Sequence, residues 1–318
     1  MRVLITGACG FVGQQLAREL LVHGHELVLA THQRTSMQVA GETIPATPCD
    51  IRDQAGIQAL VGTAKADAVA HLAGLAQVID AAKDRTMLSS INTVGVHNLC
   101  AAIAAVATRP TTVLFASSAF VYGNAYQGRV DINEVSPVQP HTPYGHSKLA
   151  AEHVGQCFEG EAISFYVARP FNHIGPGQAT SFVCPGFAQR ILNTPAGGSI
   201  DVGNLASRRD FCDVRDIVRA YRLILEKQPP SRLFVLGSGQ SVAIQEILDH
   251  LLQISGKQVG SHVNPGLYRP SDPCDMIADS RLAQKQLGWT CEIPLRRSLA
   301  DVYAALAAHD KISERLPQ

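Results

Sequence analysis

Between the apolar run Val3–Ile5 and the helix-like stretch GQQLARELLVHG stands TGACGFVG, residues Thr6 to Gly13, and this placement constrains the chain more than any other feature. A turn that lacks side chains at Gly7, Gly10 and Gly13 lets a pyrophosphate approach the unpaired N–H groups of a helix start. A glycine-rich turn alone also serves as a tight structural turn. Here the strand before it and the helix after it make a dinucleotide the expected guest, cradled by Gly7, Gly10, Phe11, Val12 and Gly13.

The same rhythm of short apolar run and helical periodicity continues for half the chain, as expected of a parallel sheet with helical crossovers. Strands are expected at ELVLA, Ala68 to Leu72, Thr112 to Ala116 and Ile163 to Ala168, and helices near Ser89 to Ala107 and Tyr144 to Phe158. This pattern predicts an α/β fold with a doubly wound parallel Rossmann sheet. The dinucleotide-binding domain is expected over residues 1–170. Beyond Arg169 proline and glycine become more frequent, and LFVLGS near Leu233 reads as a strand returning to the main sheet. Residues 171–318 are therefore expected to form mostly a smaller, interleaved C-terminal substrate lobe, with about 208–238 rejoining the first domain.

Composition narrows the function. The 27 basic and 27 acidic residues balance without a basic tract, so nucleic acid is not an expected partner. Eight scattered cysteines without a C-x-x-C pair are expected to be free thiols of a reducing cytoplasm. The N-terminus enters a strand directly, and no apolar stretch approaches the ~20 residues needed to span a bilayer, so neither secretion nor membrane insertion is expected.

Cofactor contacts are expected at the carboxyl ends of the strands. Asp50 and Ile51, in CDIRD, either fix an adenine ring or, for Asp50, cap a helix. Leu72, Ala73 and Gly74 end the next strand at the cofactor edge. After ELVLA the chain reads Ala30, Thr31, His32, Gln33, Arg34, where an NAD-preferring site normally places an acid for the ribose hydroxyls. Arg34, with His32 and Thr31 beside it, suits a 2′-phosphate, so NADPH is the expected cofactor and NADH remains possible; otherwise Arg34 is a solvated loop charge.

Tyr144 and Lys148, in YGHSK, lie four apart on one helical face, with Ser118 upstream at a strand end in SSAFVYG. A neighbouring ammonium favours the phenolate, so Lys148 is expected to lower the pKa of Tyr144. Ser118 would hold a carbonyl oxygen while Tyr144 protonates it. Tyr122 reads as packing, and His173 as either a structural or a functional histidine.

The ordered set TGACGFVG, DIRD, HLAG, SSAFVYG, YGHSK and RPFNHIGPGQ resembles the extended short-chain dehydrogenase family of nucleotide-sugar enzymes over nearly the whole chain. RPFNHIGPGQ, RRDFCDVRD and VLGSGQS are most similar to its GDP-4-keto-6-deoxy-mannose reductases, which make GDP-rhamnose. The resemblance implies that Asn92 lies near the cofactor and that the helices Ser89 to Ala107 and Tyr144 to Phe158 form a homodimer interface. It also implies that Asn172 touches the substrate diphosphate region, while Arg209 and Arg269 clamp the nucleotide phosphates.

Two departures sharpen this. The family's 4,6-dehydratases carry an acid just after the catalytic hydroxyl, because elimination of water needs another acid/base group. Here Ala119 and Phe120 stand in those positions, and the cysteine of the GDP-fucose-forming epimerase-reductases is likewise missing. Reduction of a 4-keto sugar, 4-epimerisation with tightly held NAD, and a non-enzymatic dinucleotide sensor are the three readings. A sensor would not need Ser118, Tyr144 and Lys148 together.

Overall fold

Side-chain alternation decides the central layer. Val3 and Ile5 enter one buried cluster and Leu4 enters another, so their strand is apolar on both faces and must be covered on both. The computed structural model describes residues 1–76, 85–123, 128–267 and 275–313. Its first half runs β1 (Arg2–Thr6), α1 (Phe11–Val22), β2 (Glu26–Thr31), β3 (Ser36–Val39), β4 (Glu42–Pro48), α2 (Gln54–Ala64), β5 (Ala68–His71), α3 (Arg85–Ser89), α4 (Gly95–Val106) and β6 (Thr111–Ala116). There follow β7 (Val130–Ile132), α5 (Pro143–Gln156), β8 (Ile163–Pro170), β9 (Asn172–Ile174), α6 (Val183–Asn193), β10 (Ser199–Val202), β11 (Arg208–Asp213) and α7 (Val214–Lys227). The last described elements are β12 (Leu233–Leu236), β13 (Ser241–Ala243), α8 (Ile244–Ser255), β14 (Gly260–Val263), β15 (Met276–Ala278), α9 (Arg281–Leu287) and α10 (Leu295–Ser313).

The main sheet has eight strands in the order β12-β8-β6-β5-β1-β2-β4-β3. All neighbours pair in parallel except β3, which forms an antiparallel hairpin with β4. The hairpin turns at Ala40 and Gly41, with φ of 50° and 90°, as a tight two-residue turn between twisted strands requires. Residues of α1 and α7 pack on one face, and those of α2, α4 and α5 on the other. The sheet is doubly wound, and its order reverses between β1 and β5, the switch point at whose carboxyl ends sheets of this kind bind ligands.

The helical run expected from Ser89 begins earlier, at Arg85, and passes through a π-helical turn at Ser90–Val94. By length and composition alone Arg85–Val106 is apolar enough to cross a bilayer, which corrects the expectation that no stretch approached that length. The reason is the packing of Leu88, Val96, Leu99 and Ile103, which are buried within the protein.

After β8 the chain alternates between the main sheet and a smaller assembly. The strand β12 returns to pair with β8, Leu233 opposite Val167. Between and beyond these strands, α6, α8 and α10 enclose a separate cluster including Phe187, Ile191, Ile247, Leu251 and Leu299. The strands β13-β11-β9 form a three-stranded sheet, and β10 pairs with β14.

Candidate active site

The turn after β1 is shaped by what its glycines omit. Gly7 has φ of +69°, and a Cβ there would sit 2.6 Å from the Ala73 nitrogen, so the turns after β1 and β5 touch backbone to backbone. At Gly13 a Cβ would lie 2.3 Å from the Gly7 carbonyl oxygen. Helix α1 begins with Phe11, Val12 and Gly13 after the N-cap Gly10, without a side-chain cap or an acid in its first turn. Its first N–H groups and positive dipole end therefore face the cleft without a carboxylate to satisfy them, which fits a dinucleotide pyrophosphate.

The far wall of the cleft is equally organised. Thr6 Oγ1 lies 2.8 Å from His71 Nδ1 and accepts the Ala73 N–H at 3.3 Å. Burial, with Lys148 nearby, lowers the His71 pKa to about 3, so this histidine is neutral. Asn92, in the π turn, accepts the Leu75 N–H at 2.8 Å and donates to the Leu75 carbonyl and to Ser147 Oγ at 3.2 and 3.0 Å. These bonds fix the segment Leu72, Ala73, Gly74 at the strand end. A Cβ at Gly74 would lie 3.0 Å from Asn92 Oδ1 and 3.5 Å from Lys148 Nζ, so the segment passes directly over the lysine.

At the opposite end of the cleft, Thr31 Oγ1 donates to the Arg34 carbonyl at 2.6 Å, while His32 and Arg34 are exposed. Asp50 does not cap helix α2: Asp53 does, accepting the Ala55 N–H at 3.1 Å. The Asp50 carboxylate instead takes a fork from Arg52 at 2.6 to 3.1 Å, which holds its pKa down at about 2. The buried Ile51 lies against Gly95, and Asn98 Nδ2 bonds the Ile51 and Arg52 carbonyls at 3.1 Å each. Sequence reasoning missed Asn98, a polar residue on an apolar helix face whose partners lie 46 and 47 residues away.

The catalytic candidates Tyr144 and Lys148 lie on α5, and Ser118 on the turn packed against it. Thr142 caps this helix by accepting the Gly145 N–H at 3.0 Å, and Pro143 opens its first turn. A Cβ at Gly145 would sit 2.5 Å from the Phe120 carbonyl oxygen, so glycine lets α5 press against the turn that carries Ser118. Ser118 Oγ accepts the Phe120 N–H at 3.2 Å and faces the Tyr144 hydroxyl. The Tyr144 ring stands edge-on to Phe120, with centroids 5.8 Å apart.

The Tyr144 phenol is not lowered as expected. Burial pushes its pKa up to about 12, and Ser118 only partly opposes this. The Lys148 ammonium lies 5.9 Å from the tyrosine ring centroid and donates to the Ala116 carbonyl at 2.8 Å. Its own pKa falls to about 8, chiefly through burial, while the Glu152 carboxylate pulls it back.

Behind Lys148 lies a buried ion pair that sequence reasoning missed. Arg169 donates to both Glu152 oxygens, at 3.0 and 2.6 Å, and to the Tyr122 hydroxyl at 3.1 Å. Ser117 donates a short bond to Glu152, and Tyr122 donates to the Asn133 carbonyl at 3.0 Å, so Tyr122 packs and braces. The helical spacing Tyr144, Lys148, Glu152 was a usable signal for one member only.

On the lobe side, Asn172 donates to the Asp210 carbonyl at 3.1 Å, and Arg209 to the Arg208 carbonyl at 2.6 Å. Both sit on paired strands, β9 and β11. Arg269 lies outside the described residues. His173 Nδ1 donates to the Phe171 carbonyl at 3.0 Å, and its ring stacks on Phe11 at 6.1 Å.

The chain as a whole is similar to known proteins. The sequence profile of the GDP-mannose 4,6 dehydratase family matches residues 4–302. A GDP-6-deoxy-D-mannose reductase of Pseudomonas aeruginosa is 31% identical over 308 residues, 94% of each chain. A UDP-glucose 4-epimerase of Halalkalibacterium halodurans is 26% identical over 95% of this chain and 94% of its own. The structure of RMD from Pseudomonas aeruginosa complexed with NADPH superposes with a TM-score of 0.84 at 29% identity, covering 97% of this chain and 100% of that one. A profile match across nearly the whole length, joined to a relative above 30% identity, settles the assignment: the chain is an enzyme of the GDP-mannose 4,6-dehydratase family, among the extended short-chain dehydrogenases.

Proposed function

We propose that this enzyme reduces the C4 keto group of a nucleotide-linked 4-keto-6-deoxy sugar, converting GDP-4-keto-6-deoxy-D-mannose to GDP-D-rhamnose or to its C4 epimer GDP-6-deoxy-talose, with NADPH as preferred cofactor. The observation that carries this reading is the meeting of the Ser118 and Tyr144 hydroxyls in front of Lys148, with Ala119 and Phe120 where an eliminating enzyme needs a carboxylate. When bound, the nicotinamide supplies the hydride.

The protein's own residues supply the proton and the geometry. A phenol whose pKa is raised to about 12 is fully protonated at neutral pH, so Tyr144 is set to give a proton to a carbonyl oxygen. Ser118 O–H donates to the same oxygen and stabilises the charge that develops there. Lys148, with a pKa of about 8, is largely charged at pH 7 and can stabilise the phenolate that remains. Gly7, Gly10, Phe11, Val12 and Gly13 hold the pyrophosphate, and Asp50 and Ile51 flank the adenine.

GDP as the carrier is supported by the Pseudomonas relative's name, and NADPH by the RMD complex together with Arg34. Asn172, Arg209 and Arg269 are assigned to the substrate diphosphate. A homodimer through the helix Arg85–Val106 and α5 accords with the exposed Met87 and Val94.

The test incubates purified enzyme with NADPH and GDP-, dTDP- or UDP-linked 4-keto-6-deoxy-hexoses, following nicotinamide absorbance. Oxidation of NADPH with the GDP substrate is expected. Interconversion of UDP-hexose C4 epimers without net cofactor oxidation would favour the 4-epimerase reading that the second relative suggests.

A further inference from the structure

Two thiols, 79 residues apart in sequence, meet outside the catalytic cluster. The Cys212 S–H of β11 donates to Cys291 Sγ at 3.2 Å, and the Cys291 S–H points to Asp216 Oδ2 at 3.5 Å. We propose that Cys212 and Cys291 form a redox-active dithiol, which hydrogen peroxide oxidises to a reversible intramolecular disulfide.

The two sulfurs are held in place from both sides. Cys212 is register-paired with His173 across β11 and β9. The segment bearing Cys291 is fixed by Trp289 Nε1 on the Asp216 carbonyl at 2.7 Å, and by the Glu292 and Ile293 N–H groups on Asp216 Oδ2 at 3.0 and 2.9 Å. From the 3.2 Å separation, a bond requires the sulfurs to approach by about 1.1 Å. Exposure divides the roles: Cys291 is half-buried, whereas Cys212 is 2% exposed and accessible chiefly to its neighbour.

Cys291 sulfur attacks a peroxide oxygen, an S–O bond forms and the O–O bond breaks, and the departing hydroxide takes the thiol proton as water. Cys212 sulfur then attacks the sulfenic acid; the S–S bond forms, the S–O bond breaks, and the second hydroxide leaves as water with the Cys212 proton. Two thiols are oxidised and one peroxide is reduced to two waters.

The same three residues could be read as metal ligands, since their donor atoms lie within 4.8 Å of one another. Asp216 argues against this. Its oxygens already accept Arg219 at 2.7 Å and the two backbone N–H groups.

The experiment treats the full-length enzyme with stoichiometric hydrogen peroxide and maps disulfides by peptide mass. A Cys212–Cys291 cross-linked peptide that disappears with dithiothreitol is expected, and its loss in Cys291→Ser. In Cys212→Ser the Cys291 sulfenic acid should persist and be trapped by a sulfenic-acid-specific nucleophile. The proposal is overturned if oxidation falls only on other cysteines such as the exposed Cys157, or if Cys291 is oxidised without pairing in the wild type. Retention of one Zn²⁺ per reduced chain through dialysis, lost in Cys291→Ser, would also overturn it.

Discussion

The two ends of the candidate site are built on opposite principles. At the chemical end, Ser118 and Lys148 are buried, and Lys148 has the Glu152–Arg169 pair behind it. At the end proposed for the adenosine, His32 and Arg34 stand exposed on the loop after β2. A desolvated group held by several partners has little freedom, and water cannot replace a partner that is taken away; an exposed charge is screened by water and readily resolvated. The chemistry is therefore fixed more tightly than the identity of the cofactor.

The largest effect is expected where that difference is strongest. Tyr144→Phe should lower turnover by ~10² to 10⁴, the usual worth of a general acid, while cofactor binding measured by fluorescence titration stays near wild type. Turnover within a few-fold of wild type would remove Tyr144 from the mechanism and erase the difference between the two ends.

The ion pair gives the next effect. Glu152→Ala leaves the Arg169 guanidinium, 8% exposed, in a site where it had both carboxylate oxygens. Breaking a buried pair by removing one partner costs about 3 to 5 kcal/mol, so a denaturant titration should show a large fraction of a typical domain's stability lost. The neighbouring Glu152→Gln, which keeps shape and one acceptor oxygen, should lose less. Equal stability of all three proteins would show that the pair does not brace α5.

A smaller effect follows from the Lys148 pKa. Its folded value of about 8 lies below the ordinary 10.5, so between these pH values the unfolded chain binds more protons than the folded one. The cost of burying the ammonium is therefore present below pH 8 and is relieved as pH rises toward 10.5. Relative to Lys148→Met, wild-type stability should climb across that window by up to ~3 kcal/mol, and remain parallel to the variant below it. A difference that is flat from pH 8 to 10.5 would place the lysine in water.

The same difference between the two ends explains what the sequence reveals. The glycine turn and the Tyr144–Lys148 spacing are local along the chain, and local spacing determines which atoms share a face. Ser118 was readable from its strand-end position. The bracing of Lys148 was not, because Ser117 and Arg169 lie 35 and 17 residues from Glu152 and meet it only once β6, α5 and β8 are packed. Asp50 and Asp53 illustrate a different limit: two acids in one CDIRD segment are equivalent on paper, and only the path of the backbone makes Asp53 the cap. The β3–β4 hairpin was missed because Ala-Gly is a weaker turn signal than Asn-Gly, although Ala40 and Gly41 adopt the same left-handed backbone. The expected fall in the Tyr144 pKa failed since spacing places a lysine on the right face but does not report the desolvation that outweighs it.

The smallest effect tests the exposed end directly. Arg34 follows β2 where no acid is available for the ribose hydroxyls, and its guanidinium can present a fork to a 2′-phosphate. Because the side chain is exposed, solvent screens the interaction, and Arg34→Ala should weaken NADPH binding by roughly threefold to tenfold while leaving NADH unchanged. The informative quantity is the ratio of the two affinities, since it cancels any general disturbance of the loop. Salt should diminish the wild-type ratio and not the variant's, as only the former contains the charge pair. If the ratio is unaltered by the substitution, Arg34 is a solvated loop charge. If wild type prefers NADH, the 2′-phosphate assignment fails at its premise, while the proton delivery by Ser118 and Tyr144 is untouched.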